Sequence, residues 1–457
     1  MTGDGAVVQY VSTRGVAPPL GFGDVLLAGL ATDGGLYVPD QWPRLADGFD
    51  GKRPYHEVAT DVMWPYVEGS IEREAFAGLV AEAYAAFHHP EVCPLVELDD
   101  LHLLELFWGP TLAFKDVALQ LVGRLFDHEL TRRGSRATIV VATSGDTGSA
   151  AIEACIDRAT LDIVVLHPAG RVSDVQRRQM TTVQAPNVHN VAIEGTFDDC
   201  QDLVKACFAD GSFRERVRLS AMNSINWARV MAQVVYYVTS AAKLGPCSFS
   251  VPTGNFGNIF AGWIADRMGT PVQQLVIGSN RNDILARWAA DGSLVVEPVV
   301  PTLSPSMDIQ VSSNHERLLF ELLGRDGART TELLSRFRGV GSAEAPQDQR
   351  FEAATVDDAA TLHIIREVHE RTGLLVDPHT AVGIGAARAR RRDPDVPMVC
   401  LATAHPAKFP DAVEEATGVR PPLPERLADL LQREERYDVL PADLAQVQRR
   451  IEAAVGS

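Results

Sequence analysis

An α/β fold built on a largely parallel sheet is what this sequence predicts, and three observations predict it. Runs such as ATIVVAT (137–143) and LDIVVLHP (161–168) are apolar almost throughout, as strands covered on both faces are. Stretches with the helical period of apolar residues follow them. The joins between strand and helix are short turns of Gly, Ser, Thr and Asn. Strands that alternate with helices pair in parallel and carry helices on both faces. Ligands of such sheets sit beyond the C-terminal ends of the strands.

The elements follow in order. Residues 1 to about 95 mix turns and helical stretches and form a modest N-terminal domain. There, GLATDGGLYVPD (29–40) sets a DGG turn before a short Leu-Tyr-Val strand, and Glu72, Phe76, Leu79, Val80 and Tyr84 mark an amphipathic helix. LHLLELF (101–107) reads as a strand, and GPTLAFKDVALQLVGRLFDHEL (109–130) as a loop entering a long helix. The strand 137–143 runs through SGDTGSAAIEACI into a helix, and MNSINWARV (222–230) opens another. SFSVP (248–252) leads through TGNFGN (253–258) to a helix from near Ile259, and QQLVIGSN (273–280) and PMVCLAT (397–403) are further strands. Residues 325–350, rich in Gly, Arg, Glu and Gln, read as a polar connection between helices, and the tail from PPLPERLADLL onward as charged helices. The expected division is an N-terminal domain (1–95), a large domain (96–130 with 241–457) and a small one (131–240).

Composition narrows the function. The formal charge of −18 repels nucleic acid. Apolar runs stop short of the about 18 residues a membrane span requires. The first residues, MTGDGAVVQYVSTRG, lack the basic and apolar regions of a secretory signal. Six cysteines occur without a CxxC pair, so reduced, buried thiols and a cytoplasmic location are expected rather than disulfides or a metal. Of 42 basic residues only five are lysines, Lys52, Lys115, Lys205, Lys243 and Lys408. Chemistry that requires a neutral amine therefore has five candidates, because arginine stays protonated. Metalloprotease HExxH and the Gly-x-Ser-x-Gly elbow are both missing.

Lys115 follows a strand and an apolar loop, with Asp116 as its only adjacent charge. Desolvation there would favour the neutral amine that attacks an aldehyde; a lysine snorkelling from a surface helix fits the spacing equally well. TSGDTG (143–148) joins a strand to a helix that Ser144 or Asp146 can cap, and its N–H groups suit a carboxylate or phosphate. TGNFGN has neither the GK[ST] ending of a Walker loop nor GxGxxG spacing, and looks like a cup for one phosphate. Both also read as ordinary tight turns. Asn223 and Arg229 lie within one and a half turns and can converge on an anion, or merely cap and decorate a helix. In ATAHPAKFPD (402–411), Thr403 ends a strand; His405 and Lys408 are catalytic candidates or, as readily, a packed turn residue and a solvated charge.

Taken together, GLATDGGLYVP, LELFWGPTLAFKD, ATSGDTG, NSINWAR, VPTGNFGN and ATAHPAKF, in this order, resemble the threonine synthases of the long bacterial and fungal type, from about Tyr10 to about Val413. The resemblance implies an α/β enzyme of fold type II, like the tryptophan synthase β subunit, dependent on pyridoxal 5′-phosphate (PLP). It implies that Lys115 carries the cofactor and that Gly254, Asn255, Phe256, Gly257 and Asn258 cradle its phosphate. Thr403 would face the ring nitrogen, and Asp146 would lie near the cofactor's O3′. Thr143 and Ser144 would meet the substrate carboxylate, and Thr147, Asn223 and Arg229 its phosphate. The implied reaction turns O-phospho-L-homoserine and water into L-threonine and phosphate, in a monomer or homodimer; the alternative is a related phospho-lyase or a paralogue for another phosphorylated or phosphonate amino acid. Three residues depart from the family pattern. Trp108 stands where histidine is usual, Asn258 where aspartate is, and His315 where phenylalanine is.

Overall fold

The computed structural model describes residues 7–45, 49–99 and 101–456. Two compact units share the chain: Met1–Gly109 with Ser224–Pro421, and Pro110–Asn223 with Pro422–Ser457.

The first unit is organised by a six-stranded sheet in the order Phe351–Thr355, Val272–Ser279, Cys247–Pro252, Met398–Ala402, Leu101–Glu105, Leu95–Leu98. All neighbours are parallel except the last pair, a hairpin. Residues along Cys247–Pro252 and Met398–Ala402 are all buried, which is why these strands read as unbroken apolar runs. Side chains alternate between the faces. Val276, Met398 and Cys400 join one core with Ile365, Val368, Ala381 and Val382 of the helices Asp358–Thr372 and Pro378–Arg390. A Cβ at Gly262, in the helix Gly257–Arg267, would lie 3.0 Å from Leu275 and 2.7 Å from Tyr237, so this glycine lets the helix close on strand and neighbouring helix alike.

The described residues up to 95 belong to this unit. The Tyr10 hydroxyl donates to the Tyr66 carbonyl at 2.6 Å, and Thr13 and Arg14 both bond Glu316 at 2.6 and 2.7 Å. Residues 325–350 are more ordered than a polar connection. They hold the helix Gly327–Val340 and the strand Ser342–Glu344, which pairs antiparallel with Ser293–Val295. Asp326 caps the helix by accepting from the Arg329 N–H at 3.0 Å. Only Thr330, Leu334 and Phe337 point inward, too narrow a stripe to show through the surrounding charge.

The second unit holds a five-stranded, wholly parallel sheet in the order Asp438–Pro441, Val188–Glu194, Leu161–Pro168, Ala137–Ala142, Leu219–Ser220. The tail departs from the expectation of charged helices alone. Asp438–Pro441 supplies the edge strand, and the helix Leu444–Val455 sends Val447 and Ile451 into a core with Cys200, Leu203 and Cys207. The long helix Lys115–Arg133 belongs here as well, because Gly123 presses on the Ala154 backbone so closely that a Cβ would sit 2.1 Å from its carbonyl. The helix Trp227–Leu244, by contrast, belongs to the first unit. Among the described residues no helix is long and apolar enough to cross a membrane.

Candidate active site

Lys115 is the first residue of its helix and is only 8% exposed. A cation at that position opposes the helix dipole. Asp146 offsets it: its Oδ2 lies 3.2 Å from Nζ of Lys115. The Phe114 ring covers the amine at 4.9 Å. Asp116, the neighbour in sequence, is occupied elsewhere and accepts from the Thr111 N–H at 2.7 Å and the Thr111 hydroxyl at 2.8 Å. Asp146 reaches the amine because neither it nor Ser144 caps the helix Asp146–Cys155, contrary to the expectation from sequence. Its N-cap is Gly145, at φ 144°, without a side-chain cap. The Thr143 hydroxyl instead accepts from the N–H groups of Gly145 and Gly148, each at 2.9 Å. Gln176 donates to the other Asp146 oxygen at 2.9 Å. Ser144 is exposed and Thr147 half-buried in the same turn. Asn223 is exposed and lies before the helix that starts at Trp227, so it shares no helical face with Arg229.

In the first unit, neighbouring strands Cys247–Pro252 and Met398–Ala402 run in parallel register, and TGNFGN and Thr403 follow their C-terminal ends. Phe256 takes the left-handed conformation, φ 65°, and the helix starts at Gly257. Among the described residues no N–H of 254–258 donates to a protein acceptor. Five donors at a helix N-terminus match a phosphate monoester. The carbonyls point the other way: that of Gly254 accepts from the Ser312 hydroxyl, and that of Asn255 from the N–H and side chain of Asn314, each at 3.1 Å. Gly254 has to be glycine, since a Cβ would lie 2.7 Å from the Ser306 carbonyl oxygen. Thr403 is buried.

Asn314 also donates to the Ser224 carbonyl at 3.1 Å, and Arg317 to that of Ile225 at 2.6 Å. These two buried residues tie the turn before Arg229 to the phosphate-type turn. Sequence reasoning passed over both, and the SSNHER run that holds them carries no motif signal of its own. Arg229 is 4% exposed, and its Nε and Nη1 have no hydrogen-bond partner among the described residues. Burial alone pushes its pKa down to about 10. A buried cation left this way is built to meet an anion.

The remaining candidates are all packed into the fold. Lys408 is fully buried rather than solvated. His405 caps a short turn, its Nδ1 accepting from the Ala407 N–H at 3.1 Å, and packs edge-on against Phe107. Trp108 donates to Glu105 at 2.8 Å and packs on the His89 ring. Asn258 accepts from the hydroxyls of Tyr236 and Tyr237, a role open to aspartate as well. His315 fills an aromatic seat, with ring centres 4.9 Å from Phe256 and 4.4 Å from Trp288. Burial lowers its pKa to about 3, so it is a neutral ring taking the place of phenylalanine.

A buried lysine, a turn with unbonded N–H groups and two mostly parallel sheets agree with one class: an enzyme of fold type II dependent on pyridoxal phosphate. The family model for pyridoxal-phosphate dependent enzymes matches residues 91–404, and those for the threonine synthase N terminus and C-terminal region match 9–84 and 380–451. A threonine synthase of Pseudomonas aeruginosa is 55% identical over 96% of this chain and 97% of its own. The PLP-bound threonine synthase structure from Brucella melitensis is 50% identical, with a TM-score of 0.94 over 98% of this chain and 100% of that one. The yeast threonine synthase structure is 36% identical, with a TM-score of 0.93 over 99% and 100%. The chain belongs to the threonine synthase family.

The close fit at Gly254 makes it a sensitive test of the cradle. Gly254→Ala is expected to displace the turn at a cost of about 1–3 kcal/mol, roughly 5- to 150-fold in cofactor Kd. Titration of the apoenzyme with PLP, followed by protein fluorescence, measures this; an unchanged Kd would place the cofactor phosphate elsewhere.

Proposed function

We infer that this chain is a threonine synthase that converts O-phospho-L-homoserine and water to L-threonine and phosphate. The observation that carries the reading is the buried amine of Lys115, held against Asp146, in a member of this family. Pyridoxal phosphate, when bound, supplies an electron sink for the carbanions formed on substrate. The turn 254–258 would grip the cofactor phosphate through its N–H groups, and the Thr403 hydroxyl would offer the ring nitrogen a neutral partner. Once substrate frees it, Nζ of Lys115 takes the proton from the substrate Cα; a Cβ proton leaves next, phosphate departs from Cγ, and Cγ takes up a proton. Asp146 keeps that nitrogen in place. Thr143 and Ser144 bind the substrate carboxylate. Arg229, with Thr147 and Asn223, holds the substrate phosphate; no acid is required for its departure, because the cation takes up the charge as it develops. Water then adds at Cβ. We take the enzyme to be a cytoplasmic monomer or homodimer.

The test is product analysis. Purified protein loaded with PLP and given O-phospho-L-homoserine is expected to release threonine and phosphate in equal amounts. Release of 2-oxobutyrate without threonine would move the assignment to a phospho-lyase, and no turnover would end it.

A further inference from the structure

We propose that Gln176 and Glu435 are positioning residues for Lys115, and that the C-terminal tail thereby forms part of the frame of the reaction centre. The proposal rests on Lys115 being the cofactor-bearing amine. Gln176 sits in the helix Asp174–Thr181 and is 6% exposed. Its carbonyl oxygen accepts from the Ser173 hydroxyl at 3.0 Å. The other end of the amide faces Asp146, whose carboxylate only accepts and therefore requires the NH2 end: Nε2 donates to Oδ1 at 2.9 Å. The opposite oxygen, Oδ2, is the one 3.2 Å from Nζ of Lys115. A carboxylate held at one oxygen cannot turn freely, and the amine keeps its partner at a fixed distance. Gly145 is shaped for the same contact, since a Cβ there would meet the Gln176 amide at 2.5 Å.

The helix that carries Gln176 is in turn gripped from the tail. Glu435 accepts from Nε and Nη2 of Arg177 at 2.8 and 3.1 Å and from the Thr181 hydroxyl at 2.7 Å, and pairs with Arg178 at 3.3 Å. The Arg436 N–H adds a bond to the Thr181 carbonyl at 2.6 Å, and the Arg178 guanidinium one to the Arg433 carbonyl at 2.9 Å. Two-oxygen, charge-assisted bonds of this kind set orientation as well as energy. All four contacts to Glu435 come from three residues of one helix, Arg177, Arg178 and Thr181, within about one turn, so their joint effect is to lock that helix in rotation. Gln176, one residue before Arg177, inherits the lock.

The readout is the pH titration of the bound cofactor's visible absorbance in the full-length enzyme, because the charge state at Nζ governs it. The charged groups to account for are Asp116 and Asp146, Glu153 on the helix Asp146–Cys155, and Arg426 and Arg433 of the tail. Burial, with Asp116 adding to it, raises the Glu153 carboxyl to about 7, so each titration is repeated in a Glu153→Gln background. Gln176→Ala is expected to lower the midpoint by about one unit, since a loosened Asp146 stabilises the cation less. Glu435→Gln should lower it by a smaller amount, and the double variant should match Gln176→Ala alone, as expected for two residues acting through one contact. Gln176→Met, which keeps the length and loses the donor, replaces the alanine variant if that one does not fold. A midpoint equal to wild type in the folded Gln176 variants overturns the proposal. A Glu435→Gln shift that persists undiminished beside Gln176→Ala removes Glu435 from it. A PLP-loaded wild-type enzyme with no visible aldimine band at any pH would sink the assignment of Lys115 itself, and a visible band that does not move with pH would overturn the proposal that Gln176 tunes its charge.

Discussion

Lys115→Ala is expected to give a colourless protein whose turnover falls by at least about 10⁴-fold, the upper range for a lost proton-transfer group. Nζ of this residue both carries the cofactor and moves the proton, so no neighbouring group substitutes for it. Four other lysines exist in the sequence. Lys408 is also buried, which makes retention of colour in the variant a real outcome to exclude. The substitution has a second effect. Asp146 is 5% exposed, and removing its cation leaves a buried carboxylate with less support, a loss that costs about 3–5 kcal/mol in comparable pairs. Lys115→Gln separates the two effects. Its amide keeps a donor toward Asp146, so this variant should melt closer to wild type than Lys115→Ala while being equally colourless. Absorbance spectra and threonine release measure the first effect, thermal melts the second. Colour in either variant would mean that another amine holds the cofactor.

What the sequence disclosed about this molecule follows from burial. Strands covered on both faces, such as Leu161–Pro168, have every residue inside, so an unbroken apolar run announces them. The edge strand Asp438–Pro441 is mostly exposed, has no such run, and was invisible, as was its role in closing the second sheet. The boundaries between the units fall after Gly109, after Asn223 and after Pro421; only the last is marked by composition, in the run PPLP. The motifs singled out Lys115 and TGNFGN as candidates. The partners of Lys115 were a different matter. Sequence adjacency pointed to Asp116, whereas the counter-ion is Asp146, 31 positions on. The turn ATSGDTG offered two capping residues, and the backbone at Gly145 rejected both in favour of the Thr143 hydroxyl. Gln176 acts through a bond to Asp146, and Asn314 through bonds to Asn255 and Ser224, all far away in the chain, and no local pattern encodes such bonds.

Arg229→Met is expected to make the protein more stable and far less active. The guanidinium is buried with Nε and Nη1 unpartnered among the described residues, and burial brings its pKa down to about 10. The folded state thus holds this proton less tightly than the unfolded chain does. Above pH about 10 the unfolded chain binds more protons, and stability rises with pH until the unfolded chain has lost its proton as well. Below that range the full penalty applies, about 3 kcal/mol for a shift of this size, and it is constant through the neutral range. Methionine fills the same space without charge, so a higher melting temperature at pH 7 is the expected result. An anion that reaches the site offsets the penalty in the wild type. Inorganic phosphate should therefore raise the melting temperature of the wild type and leave that of Arg229→Met unmoved. Loss of a buried charge contact costs about 2–5 kcal/mol, or roughly 30- to 5000-fold in kcat/KM for O-phospho-L-homoserine. The cofactor's colour should survive, because Arg229 is assigned to the substrate phosphate and the turn 254–258 to that of the cofactor. A colourless Arg229→Met would reverse that assignment. A variant no more stable than wild type would mean that the guanidinium already has its counter-charge in the free enzyme, and the case for an anion at this position would fail with it.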